Sequence, residues 1–197
     1  MSALPQGEVV LLPGGLHLLL LGYAAQPDLA ETRALARGIM LTWGWPWPTG
    51  AGVLGLSREE GRLLLDRYFP GAYGLLSRLR SSSLSAAPPR LDEFEDLLDL
   101  LLAYRVPGLS SSAWIARAVA AGCMGEDHLW EDLGLTSRAA LRRLLGAYFP
   151  RLVAQNVHDL RWKRFFYRQL CQQAEISLCK APSCGVCSEY AVCFGGA

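Results

Sequence analysis

Cys179, Cys184, Cys187 and Cys193 fall within the segment CKAPSCGVCSEYAVC, spaced C-x4-C-x2-C-x5-C. Such a stretch carries little apolar mass, so something other than burial must order it. Thiolates closing on a metal ion or an iron–sulfur cluster would do so, because binding free energy then becomes local folding free energy. The Cys184–Cys187 pair can bring two sulfurs to one site from a tight turn, and Gly185 between them favours that turn. An all-thiolate donor set suits zinc or iron–sulfur clusters and disfavours magnesium or calcium. Structural zinc usually takes two separated C-x2-C-type pairs, and the segment has one. Uneven gaps of four, two and five suit a larger object, such as a cubane whose corners each take a thiolate. The donor chemistry ranks an iron–sulfur cluster first and zinc second, with reactive or disulfide-forming thiols third.

The stretch before these cysteines, His158 to Cys171, reads HDLRWKRFFYRQLC. At helical spacing Trp162, Phe165, Phe166 and Leu170 share one broad face, which is expected to be core. Arg161, Arg164 and Arg168 gather on another face, and Cys171 lies near that basic edge. Positive charge there can neutralise an anionic cluster, attract an oxyanion or dock an acidic partner. Nucleic acid is not expected, because stacking aromatics and phosphate-binding arginines would need to share a face. Cys171 and Cys123 read first as small buried hydrophobes, and His128, in a His-Leu-Trp segment, as a packed or capping residue.

The elements that must position these groups are helices. Apolar residues recur at helical spacing through Leu91–Leu102 and Arg138–Leu145. Ser57 with Glu60 forms a capping-box pattern, Thr136 or Ser137 can cap the later helix, and Pro70 and Pro150 mark stops. Only Val9-Val10-Leu11-Leu12 hints at a strand, so the class is all-α. The organisation expected is an N-terminal helical region over 1–80, a Ser- and Pro-rich connector over 81–90, a second helical region over 91–174 and the cysteine tail over 175–197. A faint repeat relates the two helical regions. Ala36-Arg37, Leu54-Gly55-Leu56 and Tyr68-Phe69-Pro70 return as Ala116-Arg117, Leu133-Gly134-Leu135 and Tyr148-Phe149-Pro150, with a weaker echo of Leu18–Tyr23 in Asp99–Tyr104.

Composition narrows the function classes. A net charge of +1 supplies no global field for nucleic acid. The hydrophobic fraction is 51% and the mean hydropathy +0.19, yet no run approaches the roughly 18 apolar residues of a membrane span. The Leu16–Leu21 stretch contains His17 and lacks a positive leader, so a cytoplasmic chain with no membrane association is expected. In that reducing compartment clustered cysteines are metal ligands more often than disulfides. A redox enzyme is disfavoured: no glycine-rich dinucleotide fingerprint, Ser-His-Asp set or paired-carboxylate constellation is present. Asp92, Glu93, Glu95, Asp96 and Asp99 read as a solvated acidic helix edge, and Trp43-Gly44-Trp45-Pro46-Trp47-Pro48 as a rigid loop packed on the helical body.

Several stretches together resemble the NifQ family. They are Gly125-Glu126-Asp127-His128-Leu129-Trp130-Glu131-Asp132-Leu133-Gly134-Leu135, Tyr148-Phe149-Pro150, Asn156, Arg161 through Cys171, and the cysteine segment to Gly195. The resemblance covers about residues 91–195. It implies a carrier and not an enzyme: a nitrogen-fixation protein that holds an oxygen-sensitive molybdenum–iron–sulfur cluster and supplies molybdenum for the iron–molybdenum cofactor of nitrogenase. The implied partners are molybdate or a molybdenum–sulfur species and the NifEN scaffold acting with NifH, with the carrier expected to be a monomer. Cys179, Cys184, Cys187 and Cys193 take the ligand role by position. Cys171 or His128 would be an additional, temporary ligand at an exchangeable corner, and Arg161, Arg164 and Arg168 would compensate the charge of cluster or anion. The competing reading is a zinc-stabilised protein-interaction module.

Overall fold

The computed structural model describes residues 15–77, 79 and 90–173. The chain there is all-α, with ten helices among the described residues. In order they are α1 (Gly15–Tyr23), α2 (Ala30–Leu41), α3 (Arg58–Tyr68), α4 (Ala72–Leu76), α5 (Leu91–Tyr104), α6 (Ser111–Cys123), α7 (Leu129–Asp132), α8 (Arg138–Tyr148), α9 (Pro150–Val153) and α10 (Trp162–Gln173), with a 3-10 turn at Val53–Gly55. The expected strand at Val9–Leu12 and residues 81–89 of the connector lie outside the described residues.

The local signals act where their chemistry requires. Ser57 Oγ accepts from the Glu60 N–H while the Glu60 carboxylate accepts from the Ser57 N–H, closing the capping box of α3. Of the two candidates for α8, Ser137 is the cap, its hydroxyl accepting from the Ala140 N–H at 3.1 Å. Pro70 follows the C-cap of α3, whereas Pro150 does more than stop α8: it opens α9 as the first helical residue.

The repeat is structural. The order α1, α2, 3-10 turn, α3, α4 returns as α5, α6, α7, α8, α9. Arg58–Tyr68 and Arg138–Tyr148 are both 11 residues long. Their C-caps adopt nearly one conformation, φ −135°, ψ 61° at Phe69 and φ −137°, ψ 52° at Phe149. The central packing is α2 on α6, and it is close because Gly38 presents no side chain to Ala118. Two equivalent arginines then reach across. Arg37 Nε donates to the Asp132 carbonyl at 2.9 Å, and Arg117 Nη1 donates to the Leu54 carbonyl at 3.1 Å. Each therefore holds the start of the Leu-Gly-Leu turn belonging to the other half.

A single core runs through both halves, including Leu35, Ile39, Leu64 and Phe69 from the first and Phe94, Ile115, Leu144 and Phe149 from the second. The tryptophan loop packs on the helical body as expected: Trp45 and Trp47 set their rings edge-on against Phe94 of α5, at 5.4 and 5.5 Å between centroids.

Candidate functional site

The last described helix leads into the cysteine segment, and its placement is heavily determined. Before it, Asn156 is buried and clamps the chain in both directions: its Nδ2 donates to the Leu160 carbonyl at 3.0 Å and its Oδ1 accepts from the Leu160 N–H at 2.9 Å. Between them Asp159 takes a left-handed conformation, φ 49°. Arg138, donating to its carbonyl at 2.7 Å, and Arg142, at 3.1 Å from its carboxylate, hold it there.

On α10, Trp162, Phe165 and Phe166 are buried in mutual ring contact, and Leu170 is packed at the core margin. Tyr167 is buried as well. Its hydroxyl stands 2.9 Å from the Glu93 carboxylate and 2.5 Å from Arg90 Nη2. Burial pushes the Tyr167 phenol well above its ordinary pKa, so it is a neutral O–H that donates to Glu93. This corrects the acidic edge of α5. Asp92, Glu95, Asp96 and Asp99 are exposed, but Glu93 is half-buried and ion-paired with Arg90 at 2.8 Å.

A second bolt lies one turn earlier. Lys163 Nζ pairs with the Asp132 carboxylate at 2.5 Å and donates to the Gly125 carbonyl at 2.7 Å. The Asp132 side chain is only 5% exposed, and it lies where a Cβ on residue 125 would be. Glycine is therefore required at 125 to admit the carboxylate. Beneath this group sits Cys123, fully buried, its thiol pushed up to about 12 mainly by burial.

The sequence-derived candidates fall out as follows. Cys179, Cys184, Cys187 and Cys193 lie outside the described residues. Among the described residues no group of three or more His, Cys, Asp or Glu side chains could hold a metal ion. Cys171 is half-buried in the last turn of α10. Arg164 and Arg168 follow the spacing that leads to it and are half-buried. Arg161 is exposed and precedes the helix, its carbonyl accepting the Phe165 N–H. His128 is exposed and caps α7 through its backbone N–H, which donates to the Glu131 carboxylate at 3.1 Å.

Sequence reasoning missed Asp132, Lys163, Arg90 and Tyr167 as fixings of α10. An aspartate at the end of an otherwise apolar turn and a lysine inside an aromatic run were the available signals. It also missed an open cleft of about 330 Å³ beside Glu31, Thr32, Arg67, Tyr68 and Tyr148. No helix of the described residues is long and apolar enough to cross a membrane.

The fold and site thus define an all-α protein of two similar helical halves, whose last described helix is bolted to the body ahead of a four-cysteine segment. The family model NifQ matches residues 46–195. "Protein NifQ" of Azotobacter vinelandii is 42% identical over 153 residues, covering 72% of this chain and 77% of the relative. "Protein NifQ homolog" of Sinorhizobium fredii is 42% identical, covering 75% of this chain and 63% of the relative. "Protein NifQ" of Rhodobacter capsulatus is 39% identical, over 72% and 75% respectively. No solved structure matches the chain. The chain belongs to the NifQ family, a family of nitrogen-fixation proteins.

Proposed function

We propose that this protein carries molybdenum as part of a molybdenum–iron–sulfur cluster, supplying the metal for synthesis of the nitrogenase iron–molybdenum cofactor. The cluster is cargo, and the protein acts as a carrier and not as an enzyme. The observation that supports this most is the pairing of NifQ family membership over residues 46–195 with the four-thiolate segment inside that range. Cys179, Cys184, Cys187 and Cys193 supply the thiolates, which suit iron and molybdenum–sulfur species.

A carrier has to hold one metal less firmly than the rest. Three thiolates on irons leave the molybdenum corner to an exchangeable donor, with the fourth thiolate, Cys171 or His128 as the alternatives. Arg164 and Arg168 lie on the helical stripe that leads to this segment, where guanidinium groups favour an anionic cluster and an incoming molybdate dianion. The receiving partners in this reading are the NifEN scaffold and NifH, and the protein works as a cytoplasmic monomer.

Metal analysis and EPR of anaerobically purified protein test the reading. The expected result is a coloured, EPR-active protein containing iron and molybdenum, with both lost when Cys184 and Cys187 are replaced by alanine. A colourless, EPR-silent protein containing stoichiometric zinc would overturn it in favour of a zinc-stabilised interaction module.

A further inference from the structure

Three basic side chains converge in the first half, and two of them carry buried nitrogens that the fold leaves unbonded. Arg33 and Arg37 stand one turn apart on α2. His17, on the neighbouring α1, and the stem of Arg37 both close on the Gly134 turn: a Cβ at residue 134 would lie 3.4 Å from His17 Nε2 and 2.9 Å from Arg37 Cγ. His17 Nε2 and Arg33 Nε are buried without a hydrogen-bond partner among the described residues, and no other side-chain nitrogen or oxygen there is in that condition.

The surrounding charges leave the cluster positive. Asp28 accepts from Arg33 Nη2 at 2.7 Å, but its side chain is 92% exposed. The Asp132 carboxylate is committed to Lys163, and only its carbonyl faces Arg37. The second half shows that the architecture can do without two of these groups: the positions matching His17 and Arg33 are Leu98 and Ala113, whereas Arg37 is matched by Arg117. Orphaned buried donors are destabilising, so their occurrence together at one place points to a ligand that satisfies them.

We propose that His17, Arg33 and Arg37 form a binding site for a small tetrahedral oxyanion, with His17 Nε2–H and Arg33 Nε–H donating to its oxygens and Arg37 adding charge. The class includes sulfate, phosphate and molybdate. The site lies outside the cysteine segment and outside the residues matched by the family model, and it does not rest on the carrier reading. Binding draws His17 toward its doubly protonated form. Burial, Arg37 and Arg33 lower the pKa of that imidazole, whereas a bound dianion between them raises it.

The test is proton NMR of the three histidines of the full, reduced, metal-free chain. Sodium sulfate, phosphate and molybdate are titrated separately against chloride at constant ionic strength. The expected result is a saturable shift of the His17 ring resonance, identified by its loss in His17→Gln, with His128 and His158 unmoved. Arg33→Ala weakens the response about tenfold or more, the scale of one charge-assisted hydrogen bond. Arg33→Lys, which keeps the charge and lacks the Nε–H, weakens it too, while Arg62→Ala does not. A response to molybdate alone identifies a site selective for the proposed cargo, and equal responses to all three identify a general oxyanion site. No saturable shift with any anion, equal movement of all three histidines, or a response unchanged in both Arg33 variants would overturn the proposal.

Discussion

Gly38 and Ala118 occupy the same position in the two halves of the chain, and they meet each other where α2 crosses α6. A methyl on Gly38 would fall 2.8 Å from the Ala118 Cα and 2.9 Å from its Cβ. Equivalent residues touching at a crossing place an approximate two-fold relation between the halves at that point. Arg37 and Arg117, each bonded to a backbone carbonyl of the opposite half, follow that relation to within one residue at the acceptor. Tyr68 and Tyr148 are a third equivalent pair, and both line one cleft.

The crossing has room for one methyl. Gly38→Ala should therefore destabilise the protein by about 1–3 kcal/mol through overpacking, less the roughly 0.5–1 kcal/mol by which alanine is favoured over glycine inside a helix. The swapped pair Gly38→Ala with Ala118→Gly removes the contact with the Ala118 Cβ but leaves the approach to its Cα, so it should recover part of the loss. Urea denaturation of the two single variants and the swap measures this; additive losses in the double variant would argue against a shared, near-symmetric crossing.

The Lys163–Asp132 pair makes a larger demand. Lys163→Met leaves the Asp132 carboxylate, 5% exposed, without its partner, and breaking a buried pair from one side costs about 3–5 kcal/mol. Lys163→Met combined with Asp132→Asn removes the stranded charge and should cost less than the lysine change alone. Gly125→Ala belongs to the same cycle, because its methyl displaces that carboxylate. Denaturant midpoints of the metal-free variants give the ordering.

Helix positions, both serine caps and the aromatic face of α10 were legible in the sequence because each is local: a cap acts over three residues and a buried face over one turn. The repeat was legible from Ala-Arg, Leu-Gly-Leu and Tyr-Phe-Pro, but not what those residues do. Arg37 bonds 95 positions away and Arg117 63 positions away, and no spacing rule encodes a partner at that distance. Glu93 was misplaced for the same reason. Its neighbours along α5 are solvated, but Tyr167 reaches it from a helix 74 residues later. The four tail cysteines stand the other way round: the spacing singles them out as candidate ligands, while residues 174–197 lie outside the described residues.

Two cysteines outside the tail separate by burial. Cys123 is enclosed, with its thiol pushed up to about 12, so at pH 8 the reactive thiolate is only about one part in ten thousand. Cys171 is half-buried. In reduced, metal-free native protein, iodoacetamide should label Cys171 and leave Cys123 untouched, with Cys123 becoming reactive only in denaturant. Raising the pH from 7 to 9 stays below the Cys123 value, so it should not expose that residue. Peptide mapping by mass spectrometry reads both sites at once; native labelling of Cys123 at the rate of Cys171 would contradict the buried placement.

The remaining prediction concerns the basic stripe of α10. Arg164 and Arg168 are half-buried on the turns before Cys171, a placement in which a guanidinium acts on nearby anions with less screening than at an open surface. If the carrier reading holds, replacing both by glutamine keeps a polar, hydrogen-bonding side chain, although a shorter one, and removes two positive charges. Molybdenum loading should then fall several-fold. Loading by the unaltered protein should weaken between low and moderate salt, and the double variant should lose most of that salt dependence. Arg161, exposed and ahead of the helix, should contribute less than either. His128→Ala separates the candidate donors at the exchangeable corner: the backbone N–H that caps α7 survives the change, so a fall in loading assigns the lost imidazole to the metal and full loading leaves the fourth thiolate or Cys171. Anaerobic loading followed by metal analysis distinguishes these outcomes, and full loading by the Arg164/Arg168 double variant would remove the stripe from the mechanism.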